Sequence, residues 1–548
     1  MGTSLVFVVL LAAITAGAGA EEAASRIFVN PVDVPLQGKL DELVFARLEQ
    51  AGIEPAAVCS DAVFVRRAYL DVIGTLPTAQ EARQFLRDPD PDKRPALIEH
   101  LLEREEFADY WAMKWSDVLR VKAEFPINLW PNAAQAYHRW IQTSIRDGVP
   151  YDRFVRELLT TNGSNFRVGQ VNFYRAVQSK TPEGIAQAVA LTFMGARADK
   201  WPKERLSGMA AFFSQINFKS TTEWKEEIVS FDPEMAADPA AGERSPAMFP
   251  DGTAAKLSPD RDPRQVFADW LIASDNPWFA RNIVNRVWAW LLGRGIIHEP
   301  DDIRLDNPAS NPELLAFLEG QLVAADYDLK HIYRLILNSK TYQLSSIPHS
   351  DKPEAAALFA SYPLRRLEAE VLIDALNQIT GTTEQYSSPI PEPFTFIPEG
   401  LRSIALPDGS ITSPFLEQFG RPSRDTGLES ERSNRPTADQ RLHLLNSSHI
   451  QRKIENSPKL QALFQSAAAP SSGKANKNRK ATKPVSGGGA RPPGEIASIL
   501  YLTILSRFPT EAELKTMAEY VESTTSRREA GVDLTWALIN SAEFLYRH

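Results

Sequence analysis

The chain has 548 residues, more than a single hydrophobic core usually serves, so about two to four folded units are expected. Its 43% hydrophobic and 24% charged residues are typical of a globular protein. The net charge of -9 argues against a protein that coats nucleic acid, because that task needs clustered Lys and Arg against phosphates. We therefore expect no nucleic-acid partner.

Residues 1–20 have the pattern of a signal peptide. An apolar run at 5–14 and small residues at 18–20 precede a polar start at Glu21. This run is too short to span a membrane, and no later segment offers about eighteen uninterrupted apolar residues. The sequence predicts a secreted or periplasmic protein with no membrane span in the mature chain.

Apolar residues recur at helical spacing in two long stretches, which predict two helical domains. The first is expected at 21–235 and the second at 262–465, separated by a linker at 236–261 that is rich in Pro and Ala. Within the second, "PDG" at 407–409 predicts the turn of a small β-hairpin. The expected fold class is mainly α, with two helical domains built partly from helical hairpins.

Two further segments complete the predicted organisation. Residues 466–494 are of low complexity, with several Lys and Arg and no acid, and predict a disordered basic insertion. Contact with an anionic surface or polysaccharide is the alternative. Residues 495–548 are predicted to form a C-terminal helical hairpin that belongs to the second domain.

The tail repeats a pattern found near the front. "YLDVIGTLPTAQEARQFL" from Tyr69 matches "YLTILSRFPTEAELKTMAEYV" from Tyr501. In both, Pro-Thr is followed three residues later by Glu, the spacing of a capping box at a helix start. The repeat predicts helical hairpins whose matching residues serve packing.

The amino-acid sequences of several segments resemble a known pair of families. "RRAYLDVIGTLPTAQEARQFLRD" and "GVPYDRFVRELL" resemble the first of two planctomycete-type domains of unknown function, which often accompanies a cytochrome c-like module. "DPRQVFADWLIASDNPWFARNIVNRVWAWLLGRGIIHEPDDIRLDNPASNPELLAFL" and "FGRPSRDTGLESERSNRPTADQRLHLLNSSHI" resemble the second. The resemblance covers most of residues 36–548 and implies an exported protein, without supplying a known reaction.

The chain departs from these relatives at one functional segment. Many of them carry Cys-x-x-Cys-His in the first domain, whereas here the corresponding stretch after Gly195 reads "ARADKWP". Covalent haem attachment needs both thiols, and Cys59 is the only cysteine. We therefore expect no covalent haem and no other cofactor. Cys59 is predicted to be a small buried hydrophobe, with a reactive thiol as the alternative.

Three segments of the predicted second domain are unusually polar. They are "HEPDDIRLDNPASNPELL" at 298–315, "YPLRRLEAEVLIDAL" at 362–376 and "FGRPSRDTGLESERSNRP" at 419–436. The third precedes a helix that Thr437 and Gln440 would open as a capping box, so it should be a loop held at both ends. Arg424, Glu429, Glu431 and Arg432 are predicted to be more buried than is usual for a loop of this composition. They are expected to face Arg365 or Glu368 and the loop of Asp301 and Asp302.

Such a meeting of charges has two interpretations. One is a structural ion-pair network. The other is a pocket in which carboxylates act as acid and base or bind Ca²⁺, while arginines hold an anionic group. The catalytic candidates are Asp301, Asp302, Glu429 and Glu431. The ligand-binding candidates are Arg286, Arg304, Arg365, Glu368, Arg424, Arg432 and His443. No metal site is predicted, since Ca²⁺ has no supporting motif.

No phosphate loop, zinc-protease helix or serine-hydrolase turn is present. The sequence therefore favours an exported binding or assembly component at the cell envelope, with an envelope protein or a polysaccharide as partner. The alternative is a hydrolase or lyase that acts on an anionic extracellular polysaccharide. A haem-free partner of a separate cytochrome is a weaker alternative.

Overall fold

The computed structural model of the chain describes residues 27–30, 35–36, 38–234, 246–258, 261–465, 492–524 and 526–548. The predicted signal peptide lies outside the described residues. So do parts of the predicted linker and nearly all of the predicted basic insertion.

The described residues are mainly helical, as predicted. Helices α1 to α11 span Lys39–Gln50, Asp61–Val72, Ala79–Arg87, Lys93–Leu102, Glu105–Val118, Pro131–Arg146, Tyr151–Thr160, Pro182–Met194, Lys203–Ala210, Pro263–Leu271 and Phe279–Leu292. Helices α12 to α22 span Pro312–Ala324, Leu329–Asn338, Ala369–Thr380, Pro414–Gln418, Ala438–Asn446, Ser448–Glu455, Pro458–Gln465, Pro493–Ile504, Glu511–Ser523, Arg527–Ile539 and Ala542–Leu545.

Two small antiparallel sheets accompany the helices. The first has the order β1-β3-β2, and the second pairs β4 with β5. The strands β1 to β5 span Gly163–Ser164, Ile216–Ser220, Glu227–Phe231, Arg365–Arg366 and Tyr546–Arg547. Strands β2 and β3 form the hairpin, with Phe218 opposite Val229.

The hairpin predicted around 407–409 is not at that place. The Asp408 side chain turns inward and accepts the backbone N–H of Ala123 at 2.8 Å, while Gly409 N donates to Val121 O at 2.9 Å. The backbone of this turn is bonded to the chain that follows α5, and its two sides do not form a strand pair among the described residues. A short helical turn, Ser403–Ala405, precedes it, and Thr412 forms an isolated bridge with Ser387.

Helix starts follow the local sequence signals. Thr78 and Thr510 each accept the N–H of the Glu three residues on, and each Glu accepts in return, so both predicted capping boxes are present. Asn311 caps α12 through the N–H of Leu314 at 3.1 Å. These caps satisfy backbone donors that the first turn of a helix leaves free.

The apolar side chains of the two halves of the chain join in one core. Trp111 on α5 packs against Trp290 on α11 and Tyr333 on α13, with ring centroids 5.4 and 4.5 Å apart. Cys59 is buried in this core, as predicted. Burial of large aromatic rings from distant segments stabilises their mutual position.

The two repeated hairpins lie beside each other. Helix α3 packs on α19, and Arg66 of α2 donates to the carbonyl oxygens of Ile504 and Phe544 at 2.7 and 2.8 Å. The tail is therefore bonded to the front of the chain. No helix among the residues described is long and apolar enough to cross a membrane.

Both repeats contain a cluster of one arginine and two glutamates. The glutamates occupy equivalent positions in the two repeats, but the arginine does not. In the first, Arg104 bonds Glu81 at 2.9 Å and also pairs with Glu106. In the second, Arg507 bonds the equivalent carboxylates, Glu513 at 2.8 Å and Glu543 at 2.6 Å. The same ion pairs thus close both hairpins, which supports a packing role for the repeated acids.

Candidate functional site

The polar segment 419–436 is a loop held at both ends. It follows α15 and precedes α16, which begins with the predicted capping box of Thr437 and Gln440. Gly420 has a φ of +82°, and a Cβ there would lie 2.0 Å from the carbonyl oxygen of Ser433. Glycine is therefore required where the two arms of the loop meet.

The carboxylate of Glu431 organises the inner turn of this loop. It accepts the backbone N–H groups of Asp425 at 2.9 Å and Thr426 at 3.2 Å, together with the hydroxyls of Thr426 and Ser423 at 2.9 and 2.5 Å. Its oxygens are engaged by donors of the same loop. Glu431 thus fixes the shape of the loop through hydrogen bonds within the loop itself.

Asp117, near the end of α5, receives two arginines of the loop. Arg424 Nε lies 2.9 Å from Oδ1, and Arg432 Nη2 lies 2.6 Å from Oδ2. Arg432 also bonds Glu370 on α14 at 2.7 Å, and Arg421 Nε lies 3.5 Å from the same carboxylate. We refer to these five residues as the bridging cluster.

The bridging cluster is buried and carries more positive than negative charge. Arg424 has 0% exposure. Burial would raise the pKa of Glu370, but Arg432 and Arg421 outweigh it and hold that pKa below its usual value. Burial and the neighbouring Arg424 lower the pKa of Arg421 to about 10. Each carboxylate of the cluster is paired with at least one guanidinium.

A second group surrounds Asp301. Arg286 Nη2 lies 2.6 Å from Asp301 Oδ1, and the backbone N–H of Glu429 donates to Oδ2 at 2.6 Å. The Glu429 carboxylate accepts Trp290 Nε1 at 2.9 Å and lies 3.8 Å from Arg286 Nη1. Its side chain is 29% exposed. Burial nevertheless raises the pKa of Glu429, against the opposing effects of Lys114 and Arg286.

A third group ties Glu368 and Asp71 to the end of the chain. Glu368 pairs with Lys114 and accepts Tyr110 Oη at 2.9 Å. Arg547 bonds Glu368 at 3.2 Å and Asp71 at 2.8 Å. Burial would raise the pKa of Glu368, but Lys114 and Arg547 outweigh it and hold the pKa well below its usual range.

Several candidates lie elsewhere. Arg365 donates to the carbonyls of Trp290 and Leu291 at 2.9 and 2.7 Å at the end of α11, and it lies 3.5 Å from Asp71 of the third group. Asp302 and Arg304 pair with each other at 3.2 Å. This second pair forms locally, because side chains two residues apart meet at low entropic cost.

His443 lies among aromatic rings and not among the predicted charges. Its ring centroid is 5.7 Å from that of Phe415, 5.9 Å from Phe419 and 5.9 Å from His449. Burial and the neighbouring His449 lower the pKa of His443. It is thus a neutral packed ring, so its selection as a ligand-binding residue gains no support from the geometry.

The loop meets Asp301, as predicted, but its arginines bond to Asp117 and Glu370 in place of Glu368. Sequence reasoning missed Asp117, Lys114, Asp71 and Arg547. A signal was present for the first two: they are charged residues in "YWAMKWSDVLRV", a helix with large aromatic residues on several sides. A charge on such a helix must find a buried partner.

Two of the cavities among the described residues lie apart from the bridging cluster. One, of about 50 Å³, has aromatic side chains in its lining, including Trp111, Trp115 and Tyr151. The other, of about 740 Å³, lies between α1 and the segment 352–358. Neither is lined by a residue of the bridging cluster. Across the described ranges, no group of three or more His, Cys, Asp or Glu side chains could hold a metal ion.

The geometry of the three groups is that of a buried ion-pair network. Removing one partner from such a network is strongly destabilising, because it leaves an uncompensated buried charge. Glu429 differs from the other carboxylates in its partial exposure and raised pKa. Glu429 is a candidate acid that combines partial exposure to solvent with a raised pKa.

Family models match both halves of the chain. Residues 39–217 match PSCyt2, a protein of unknown function (DUF1549), and residues 263–521 match PSD1, a protein of unknown function (DUF1553). No curated protein and no solved structure was found to match. Asp117 lies in the first matched region and its two arginine partners lie in the second. The chain therefore belongs to the proteins in which these two planctomycete-type domains of unknown function are paired in this order.

Proposed function

We propose that this protein is an exported binding or assembly component at the cell envelope, whose paired domains form a rigid support for a ligand-binding surface. The observation that carries the proposal is that the polar loop at 419–436 bonds one matched region to the other. Arg424 and Arg432 are bonded to Asp117 across the two matched regions, so they serve to join them. Export is proposed from the pattern of residues 1–20.

The rigidity of the support follows from buried charges that would be costly to separate. A guanidinium with 0% exposure, such as that of Arg424, cannot leave its carboxylate without a large loss of free energy. A support that does not rearrange lets a surface bind with little ordering cost. Binding in place of catalysis also agrees with the lack of a recognised catalytic motif in the sequence.

A hydrolase of anionic polysaccharides is the second candidate, and Glu429 is the observation that favours it. A general acid needs a raised pKa and access to substrate, and Glu429 has a raised pKa with 29% of its side chain exposed. Asp301 contacts the same segment, but both its oxygens are occupied by Arg286 and Glu429 N. A second free carboxylate, which glycoside hydrolysis requires, is not in place there.

One experiment separates the two functions. The mature chain is incubated with a panel of sulfated, uronic-acid and neutral polysaccharides, and both binding and the release of new reducing ends are measured. We expect binding without product. Product formation that is lost in Glu429→Gln, at an unchanged melting temperature, would overturn the binding proposal and support the hydrolase.

Export is tested separately by expressing the full chain and a chain without residues 1–20 in a Gram-negative host. The full chain should be recovered from the periplasm and the shortened one from the cytoplasm. Equal retention of both in the cytoplasm would contradict the proposed export.

A further inference from the structure

Exposed aromatic rings gather where three segments meet. Trp224 is 71% exposed and Phe394 is 48% exposed. The ring centroids of Phe394 and Trp130 are 5.3 Å apart, and Lys225 Nζ lies 6.0 Å from the Trp130 centroid and 5.6 Å from that of Trp224. We refer to Trp130, Trp224, Lys225 and Phe394 as the Trp224 surface. Large exposed aromatic groups that cluster in this way mark interaction sites.

The turn that carries Trp224 is held rigidly from beneath. Thr221 donates through its N–H to Glu226 O at 3.1 Å and through its hydroxyl to the Glu226 carboxylate at 2.7 Å. Ser164 donates to the same carboxylate at 2.5 Å, and buried Asn165 donates to Lys225 O at 3.3 Å. The exposed indole therefore stands on a preorganised turn.

Strained backbone at Trp130 and Lys225 also marks the Trp224 surface as a binding site. Trp130 has a φ of +73° and Lys225 a φ of +66°, in the left-handed region that bulky side chains rarely adopt. Strain of this kind tends to cluster at ligand-binding sites. Here the two strained residues contact each other and direct their side chains to one surface.

Lys225 supplies a positive charge to this surface. Neither Lys225 nor Lys219 on the adjacent strand forms an ion pair with a residue that the structure describes. The acids beside them are engaged: Glu226 bonds Ser164 and Thr221, and Glu227 lies 2.7 Å from Arg175. Glu223 is the exposed acid of the turn. An anionic ligand at this surface would find the Lys225 ammonium beside the rings of Trp130 and Trp224.

We infer that the Trp224 surface binds a polysaccharide that carries carboxylate or sulfate groups. The weakly positive C–H groups of sugar rings would lie against the negative faces of Trp224, Trp130 and Phe394, and an acidic substituent would lie at Lys225. This inference rests on the proposed role as a binding component and names its ligand class. Trp224 and Lys225 lie between the two matched regions, and Phe394 lies in the second.

The inference is tested by calorimetric titration of the mature chain with alginate, carrageenan and neutral dextran. The chain is expected to bind alginate or carrageenan and to bind dextran at least about tenfold more weakly. Trp224→Ala should weaken binding of the acidic polymer about tenfold or more, since a tryptophan anchor commonly contributes that much to affinity. Lys225→Gln should weaken binding of the acidic polymer less than Trp224→Ala does, and it should make the affinity depend less on salt concentration.

Matched controls lie far along the chain. Leu305→Ala removes a fully exposed apolar side chain and Lys515→Gln removes an exposed ammonium, and both should leave binding unchanged. All four variants change side chains that are exposed or only half-buried. Their melting temperatures should therefore match that of the unchanged chain.

Each outcome is decisive. If an acidic polymer binds, but the Trp224→Ala and Lys225→Gln variants bind it as tightly as the unchanged chain, the Trp224 surface is not the binding site. The proposed binding function then still stands. If dextran binds as well as the acidic polymers, the ligand class is wrong. If no polysaccharide binds, and the surface variants instead abolish binding of a purified protein partner, this inference fails and the binding function again stands. Release of new reducing ends would instead overturn the proposed function.

Discussion

Arg432 is bonded to Asp117, a residue 315 positions away in the chain, with 2.6 Å between Nη2 and Oδ2. The other oxygen of that carboxylate accepts Arg424 Nε at 2.9 Å. One aspartate at the end of α5 therefore fixes two points of a loop that belongs to the other matched region. Asp117 thereby bonds the first matched region to the second.

Arg424→Ala should destabilise the protein by about 3–5 kcal/mol, because it removes one of the two guanidinium partners of Asp117 and leaves the space of a fully buried side chain empty. Arg424 has 0% exposure, which makes compensation by solvent small. Urea unfolding followed by circular dichroism measures the change. Arg435→Ala, which alters an exposed arginine of the same loop, is the control and should stay within about 0.5 kcal/mol. A loss for Arg424→Ala no larger than this control would contradict a structural role.

Asp117 and Arg432 should be energetically coupled. In a double-mutant cycle of Asp117→Asn and Arg432→Gln, the two changes together should cost less than the sum of the single changes, by about 0.5–3 kcal/mol. The reason is that the second change removes a charge that the first has already left unpaired. Arg153 and Glu157, an exposed pair on α7, provide the reference cycle and should couple weakly. Simple additivity at Asp117 and Arg432 would contradict the bridging cluster.

The stability that Glu368 contributes should depend on pH. Its pKa is held well below the usual 4.5 in the folded protein, so the unfolded chain binds its proton first as the pH falls. The contribution is therefore complete above about pH 4.5 and is lost as the pH falls toward the folded-state pKa. The difference in unfolding free energy between the unchanged chain and Glu368→Gln should narrow below pH 4.5. Glu49→Gln, at an exposed position, serves as control, and a constant difference for Glu368→Gln from pH 7 to 3 would contradict the prediction.

Cleavage between the second domain and the tail should leave the tail bound. A specific protease site is inserted within residues 466–491, and the cut protein is passed through a sizing column. Residues 492–548 should elute with the rest, because Arg66 bonds Ile504 at 2.7 Å and Arg547 bonds Asp71 at 2.8 Å, both from buried positions. Separate elution in native buffer would show that these contacts do not hold the tail.

The sequence by itself determined the features that depend on near neighbours. Capping boxes at Thr78, Thr437 and Thr510, the repeated hairpins and the mainly helical class follow from residues three or four apart, whose interactions local spacing fixes. The family resemblance could also be read directly, since it is a property of residue order. The burial of Cys59 followed from composition, because a lone thiol behaves as a small apolar group.

Tertiary structure alone decided which charges meet. That Arg424 bonds Asp117 and not Glu368, or that "PDG" at 407–409 bonds to Val121 and Ala123 in place of its own strand, depends on elements that are some 300 residues apart in the chain. The Trp224 surface likewise joins Trp130, Lys225 and Phe394 from three separate segments. A charge or ring in the sequence shows only that it needs a partner. The partner is chosen when the common core packs and the burial of each group becomes known.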